Sequence, residues 1–337
     1  MGFLPNFDPM QYRCFGQHWL SRMGLGMAAL GRPGYINLGH ADDLARDYRV
    51  EAMRQQSFDV LDAAHAAGII YFDAARSYGQ GEAFLGEWLR SRGLLPGDVV
   101  SGSKWGYTYT ADWQVEAVHH EIKDHSLPVL ERQWAESRAH LMPWLQLYQI
   151  HSATLESGVL DRPEVLEALA HLRDREGVYI GLSLSGPMQA RTLARVMTLV
   201  IDGRPLFDSV QATWNLLEPS AGPLLAEAHA AGMLVIVKEA LANGRLTRRN
   251  TDPAFASQHT RLAALADVSG CDIDALALAA VLAQPWADAV LSGAATVAQL
   301  RSNLRAFDVP AAATADLADL AEAPETYWQI RQSLAWN

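Results

Sequence analysis

The strongest constraint on this chain is a repeated alternation, in which short apolar runs of strand length are each followed by a segment of helical period. The runs fall at 23–28, 69–73, 98–104, 145–151, 178–183, 207–213, 233–238 and 289–292. Helical segments follow at about 51–67, 81–92, 126–142, 163–176, 187–201, 221–231, 260–268 with 273–283, and 297–307. Strands that are apolar along their whole length are buried on both faces, and parallel strands need long crossovers between them. Eight such units have the size and rhythm of a (β/α)8 TIM barrel. Ahead of them, 12–15 and 19–21, split by Gly16 and Gln17, predict a small hairpin. A helical tail from about Ala311 holds one more helix. With no Pro/Ser-rich linker in the series, 1–337 reads as a single barrel domain.

Composition narrows the partners. Half of the 337 residues are apolar, enough for a large core, and the net charge of −11 with no Lys/Arg-rich run predicts neither nucleic acid nor an anionic membrane surface as partner. The opening MGFLPNFDPM lacks a basic and then apolar leader, and Asn6 does not fit a myristoylation site. The longest apolar stretch, around 275–283, is too short to cross a bilayer. Cys14 and Cys271 are far apart in sequence and outside any CxxC spacing, which predicts a reducing, cytoplasmic setting.

The second apolar run carries the first chemistry. In IIYFDAARSYG, at 69–79, four β-favouring residues run into Asp73, and a short polar loop then leads to Tyr78 and a breaking Gly79. The third run ends in Lys104 and the fourth in His151. Barrels of parallel strands place chemistry at the C-terminal strand ends, so these four ionisable groups are expected at one mouth. A phenol is protonated at neutral pH and can act as an acid, and an adjacent ammonium would make its proton easier to give. Lys104 is placed to do this, with Asp73 holding it charged and His151 orienting a carbonyl oxygen or relaying the proton.

The motifs FDAARSYG, GSKWG, LYQIHS, GLSLSG, VQATWN, VIVKEALANGRL and LSGAATVAQLRSNL occur in this order, and together they resemble the aldo-keto reductases over most of the chain. The resemblance implies a (β/α)8 barrel with an N-terminal hairpin, no metal, and a nicotinamide cofactor bound without a Rossmann fold. Hydride passes between the nicotinamide and a carbonyl carbon, and Tyr78 gives or takes the proton. The catalytic set is Asp73, Tyr78, Lys104 and His151. Cofactor contacts carried over with the family are Gly26, Met27 and Asp73, then Ser183 and Gln211 at the carboxamide. Leu241, Asn243 and Arg245 would lie near the pyrophosphate, and Gly293, Thr296, Gln299 and Asn303 around the adenosine. The family's stacking aromatic aligns with Lys238, and Trp214 is the candidate to stack in its place. Leu184 stands where an asparagine is usual.

NADPH is the implied cofactor, with NADH second, by a modest margin. Gly293 and Gln299 occupy the places of a Lys and an Arg that grip the 2′-phosphate, and Arg248 or Arg249 would reach in instead. The expected substrate is a small carbonyl compound or a sugar, in a pocket walled by Trp105, Tyr107, Tyr109, Trp113, Tyr327, Trp328 and Trp336. Competing motifs fail on spacing. GLGMAALG is not GxGxxG, and GLSLSG has Ser185 where a nucleophile elbow needs glycine. HEIKDH turns its two histidines about 140° apart, off one helical face. The alternatives are a cofactor-sensing regulatory subunit on the same fold, or a barrel metallohydrolase using His119, His120, His125 and His151.

Overall fold

A computed structural model describes residues 12–337. The reading of the opening segment concerns 1–10, outside the described residues. β1 (Tyr12–Phe15) and β2 (His18–Ser21) pair antiparallel about a turn in which Gly16 takes φ 57°, a conformation glycine adopts without cost. β3 (Met23–Gly26) opens the barrel and is followed by the short helix α1 (His40–Asp43) and by α2 (Val50–Ala66). β4 (Tyr71–Asp73), α3 (Gly81–Ser91) and β5 (Val100–Trp105) follow. A small ribbon of β6 (Tyr107–Tyr109) and β7 (Glu121–Lys123) then precedes α4 (Leu127–Leu141). β8 (Leu145–Ala153), α5 (Pro163–Glu176), β9 (Tyr179–Leu184) and α6 (Gln189–Val196) lead to a second ribbon, β10 (Val200–Ile201) with β11 (Arg204–Pro205). Last come β12 (Ser209–Thr213), α7 (Gly222–Ala230), β13 (Leu234–Lys238), α8 (Ala256–Val268), α9 (Ile273–Leu282), β14 (Ala289–Ser292), α10 (Val297–Leu304) and α11 (Pro324–Ser333).

Eight parallel strands close the barrel in the order β3, β4, β5, β8, β9, β12, β13, β14, with β14 pairing back onto β3. These are the eight apolar runs of the sequence, with bounds shifted by no more than two residues. The run at 69–73 starts its ladder only at Tyr71, because the Ile69 N–H closes the end of α2 by donating to the Ala64 carbonyl. The helix expected over 187–201 stops at Val196, and the chain turns back on itself through Asp202 and Gly203, at φ 50° and 78°. Asp-Gly between short β-formers is a hairpin signal, and here it overrides the helical pattern.

Apolar side chains of the strands meet those of the surrounding helices in one large cluster that includes Leu61, Leu85, Trp88, Tyr148 and Leu182. A second cluster joins α8, α9 and α11 through Leu262, Leu276, Tyr327 and Trp328. α9 is buried at nine of its ten residues, which is why its sequence is apolar on every face. The tail helix is thus packed on the barrel. No helix among the described residues is long and apolar enough to cross a membrane.

Candidate active site

Parallel pairing sets the strand ends level. Asp73 of β4 is in register with Gly26 of β3 and Gly102 of β5, so its carboxylate lies at the mouth next to the end of β5, where Lys104 sits. Both side chains are buried, and the Lys104 ammonium pairs with Asp73 Oδ2. Lys104 Nζ also donates to the Ala74 carbonyl at 2.9 Å and lies 3.3 Å from the Tyr78 hydroxyl. Asp73 Oδ1 accepts from the Tyr71 hydroxyl (3.2 Å), Gln149 Nε2 (3.3 Å) and Gln211 Nε2 (3.0 Å). A buried ion pair held by this many hydrogen bonds is fixed in place.

His151 reaches the same mouth through an irregularity. The β8–β9 register shifts between Ile150 and Ala153, and Ser152 takes φ 52°. Bulges of this kind re-aim a side chain at a barrel rim. The His151 ring stands edge-on to Tyr78 with centroids 5.6 Å apart, and its Nδ1 lies 3.4 Å from Ser77 Oγ. The Tyr78 loop is positioned by a close backbone approach at Gly31. A Cβ on Gly31 would lie 2.2 Å from the Tyr78 carbonyl oxygen and 2.6 Å from Gly81 Cα.

Burial, and then the Asp73 carboxylate, push the Tyr78 phenol well above its ordinary value, with the Arg32 guanidinium opposing them. Lys104, expected to ease that proton, lies 3.3 Å from the hydroxyl while pairing with Asp73. Burial, then the charges of Lys104, Lys238 and Arg32, hold His151 well below its ordinary value. The resting site therefore presents a protonated phenol and a neutral imidazole.

A cavity of about 590 Å³ runs from these groups along the loops after β13 and β14. Of the residues carried over for the cofactor, Gly26, Asp73, Gln211, Lys238, Leu241, Asn243, Gly293, Gln299 and Asn303 line it. Five do not. Met27 is fully buried and its N–H donates to the Asp73 carbonyl, which ties β3 to β4. Ser183 Oγ accepts from the Ser152 N–H at 2.8 Å, supporting the irregularity that carries His151. Trp214 packs edge-on against Trp286 and donates to the Pro219 carbonyl, so it is a core residue and no stacking platform. The Arg245 guanidinium is held by Glu322 beneath the rings of Phe255 and Tyr327. Thr296 caps α10 by accepting from the Gln299 N–H at 3.2 Å, and Gln299 Oε1 in turn accepts from the Ala295 N–H.

Arg248 and Arg249 line the cavity but are engaged, Arg248 with Asp267 and Asp272 and Arg249 with Asp43. Burial pushes the Asp274 carboxyl upward, while hydrogen bonds from Ser302 and Asn303 hold it down. The aromatic wall is also smaller than expected. Tyr107 and Trp336 line the cavity, whereas Trp105, Tyr109, Trp113, Tyr327 and Trp328 do not. Trp105 and Trp328 are buried, and Trp113 packs on Phe84 while donating to the Tyr48 carbonyl.

Sequence reasoning missed Arg32, Tyr35, Glu121, Glu239 and Arg331, all of which line the cavity. Arg32 donates to the Ser77 carbonyl and Glu121 and faces the rings of Tyr78, Tyr35 and Trp336. Arg331 of α11 forks onto Glu239 after β13, a pairing across 92 positions that no local pattern announces. The four histidines of the metallohydrolase alternative are dispersed. His120 stacks on Trp336 and His125 Nε2 contacts the His151 carbonyl, and no group of metal-ligating side chains assembles among the described residues.

Residues 22–324 match the family model described as the aldo/keto reductase family. The chain belongs to the aldo/keto reductase family. It is 26% identical over 236 residues to aldo-keto reductase AusK of Emericella nidulans, covering 68% of this chain and 55% of that protein. It is 35% identical over 103 residues to aldo-keto reductase Str7 of Strobilurus tenacellus, covering 30% and 27%. The match thus spans about half of one of these relatives and about a quarter of the other. The holo form of aldo-keto reductase AKR11C1 from Bacillus halodurans shares the fold, with a TM-score of 0.68, 22% identity and coverage of 93% of this chain and 97% of that one.

Proposed function

We propose that this aldo/keto reductase is an NAD(P)H-dependent carbonyl reductase, converting an aldehyde, ketone or open-chain sugar to the alcohol with Tyr78 as general acid. One observation carries the reading: the Tyr78 hydroxyl, the Lys104–Asp73 pair and the His151 ring converge on one cavity, which also reaches the loops after β13 and β14.

The cavity fits a dinucleotide. Beyond the tetrad it continues past Gln211 and Lys238 to Asn243, whose buried Oδ1 has no partner, and to Gly293, where a Cβ would meet nothing within 4 Å. Gln211 and Lys238 would lie beside the nicotinamide, and Asn243, Gly293 and Gln299 beside the phosphates and adenosine. When bound, the reduced nicotinamide supplies a hydride to the carbonyl carbon. The Tyr78 hydroxyl donates its proton to the carbonyl oxygen, and the ammonium 3.3 Å away stabilises the phenolate as it forms. Asp73 keeps that ammonium charged and aimed. Neutral His151 orients the carbonyl oxygen without competing for the proton. Tyr107 and Trp336, with the Arg32–Glu121 pair, offer apolar faces and polar groups to the rest of the substrate.

The test is oxidation of NADPH and NADH with a panel of aldehydes, ketones and aldoses, before and after prolonged EDTA treatment. Turnover unaffected by EDTA is expected. Cofactor binding without turnover of any carbonyl would point to the sensor reading, and activity lost to EDTA and restored by zinc to metal chemistry. Family habit favours NADPH, whereas the charges at the far end of the cavity bear on that choice independently.

A further inference from the structure

A dinucleotide whose nicotinamide meets Tyr78 must lay its adenosine half at the opposite end of the cavity. That end is rich in carboxylates. Asp272 and Asp274, at the start of α9, line it directly. Asp274 accepts from Ser302 Oγ at 2.9 Å and Asn303 Nδ2 at 2.7 Å, both on α10. The cations there are already matched. Arg248 donates to Asp272 and Asp267, each at 2.6 Å, and the Arg249 guanidinium forks onto Asp43 while also donating to the Leu38 and Gly39 carbonyls. Arg245 is spent on Glu322. Two guanidiniums thus face four aspartates, and none of these arginines is left for a phosphate.

The groups that would favour a phosphate are the Gln299 amide and the first N–H groups of α10. They are neutral and set against a surplus of carboxylate.

We infer that this enzyme is built for NADH rather than NADPH, the far end of its cavity meeting a free adenosine ribose with acceptors and a 2′-phosphate with like charge. The inference rests on the reductase reading and reverses the cofactor that family habit implies. A phosphate adds roughly 1.5 to 2 negative charges at neutral pH, and repulsion between partly exposed groups is screened by salt.

Equilibrium binding, followed by quenching of intrinsic fluorescence, tests it without turnover. NADH should bind on the order of tenfold more tightly than NADPH at low ionic strength, and ADP more tightly than 2′,5′-ADP, with both gaps closing as salt is added. Asp272→Asn removes one charge at a position whose side chain makes no helix-capping hydrogen bond, and should narrow the gap by improving NADPH. Asp274→Asn should do the same if it folds. Tighter binding of NADPH, or a gap that neither salt nor Asp272→Asn changes, overturns the inference and leaves the reductase reading standing. Failure of both dinucleotides to bind would remove the reductase reading itself.

Discussion

Tyr78 is the residue on which the proposed chemistry turns, and its burial gives that chemistry a direction. With its pKa raised by desolvation and Asp73, the phenol keeps its proton through the neutral range and serves as an acid. Tyr78→Phe should lower kcat for carbonyl reduction by about 10²- to 10⁴-fold, the usual worth of general acid help. Cofactor affinity, read by fluorescence titration, should hardly move, and near-normal turnover in this variant would end the assignment. The pH profile follows from the same environment. Reduction should not decline as pH rises toward about 10, the ordinary phenol value. Nor should a protonation step appear near 6.5, because His151 is held well below that value. A midpoint near 6.5 in kcat that vanishes in His151→Gln would show a solvated imidazole and contradict the buried one.

Among the elements, the loop after β3 decides where that phenol sits. Gly31 packs against the Tyr78 carbonyl and Gly81 Cα, and its own carbonyl accepts from the Gln80 N–H at 2.7 Å. These are backbone atoms that cannot rotate aside, so Gly31→Ala must displace the tyrosine loop. A shift of about 1 Å at a reacting group can cost on the order of 100-fold in rate. Gly31→Ala should therefore lose kcat while retaining affinity for the dinucleotide, and unchanged kcat would show that this contact does not set Tyr78. α11 is tied down differently. Arg331 pairs with the largely buried Glu239, Tyr327 shares Asn215 with the Glu239 carbonyl, and Trp328 lies in the second core cluster. Arg331→Met leaves Glu239 with only Lys238, 3.7 Å away, as counter-charge. Breaking a buried pair costs about 3–5 kcal/mol, and the remaining ammonium puts this one near about 3 kcal/mol, visible as a Tm lower by several degrees.

For the whole molecule, two neighbouring, largely buried groups shape stability against pH in opposite ways. Burial raises the Glu239 pKa, but the Arg331 and Lys238 charges outweigh it and hold the carboxyl at about 2. Its folded value lies below its unfolded one, so its stabilisation is complete above about pH 4.5 and is lost as pH falls toward 2. Lys238 runs the other way. Burial, against the pull of Glu239, lowers it from 10.5 to about 8, so the unfolded chain binds the extra proton between those values. Stability from this group rises across that window. Chemical denaturation at stepped pH should show the advantage of Lys238→Met over the native chain to be largest below about pH 8 and to shrink toward 10.5. An advantage independent of pH would mean that Lys238 is not desolvated.

The barrel, and the meeting of Asp73, Tyr78, Lys104 and His151 at one mouth, were legible in the sequence because each depends on a local pattern. Apolar runs mark strands buried on both faces, and the change in character at their ends locates the strand end at Asp73 and within two residues of it at Lys104 and His151. Other candidate side chains lie off the cavity because partners remote in sequence hold them. Trp214 and Arg245 stand at plausible family positions, yet a neighbouring tryptophan and Glu322 claim them, and Glu239 meets Arg331 only because α11 folds back over the strand ends. Which cations at the far end remain free for a phosphate was likewise decided by packing, since Arg248 and Arg249 are neutralised by aspartates that α1, α8 and α9 bring to them. A strand records its burial in its own residues, whereas a charge is spent or free according to what the closed barrel places within hydrogen-bond reach of it.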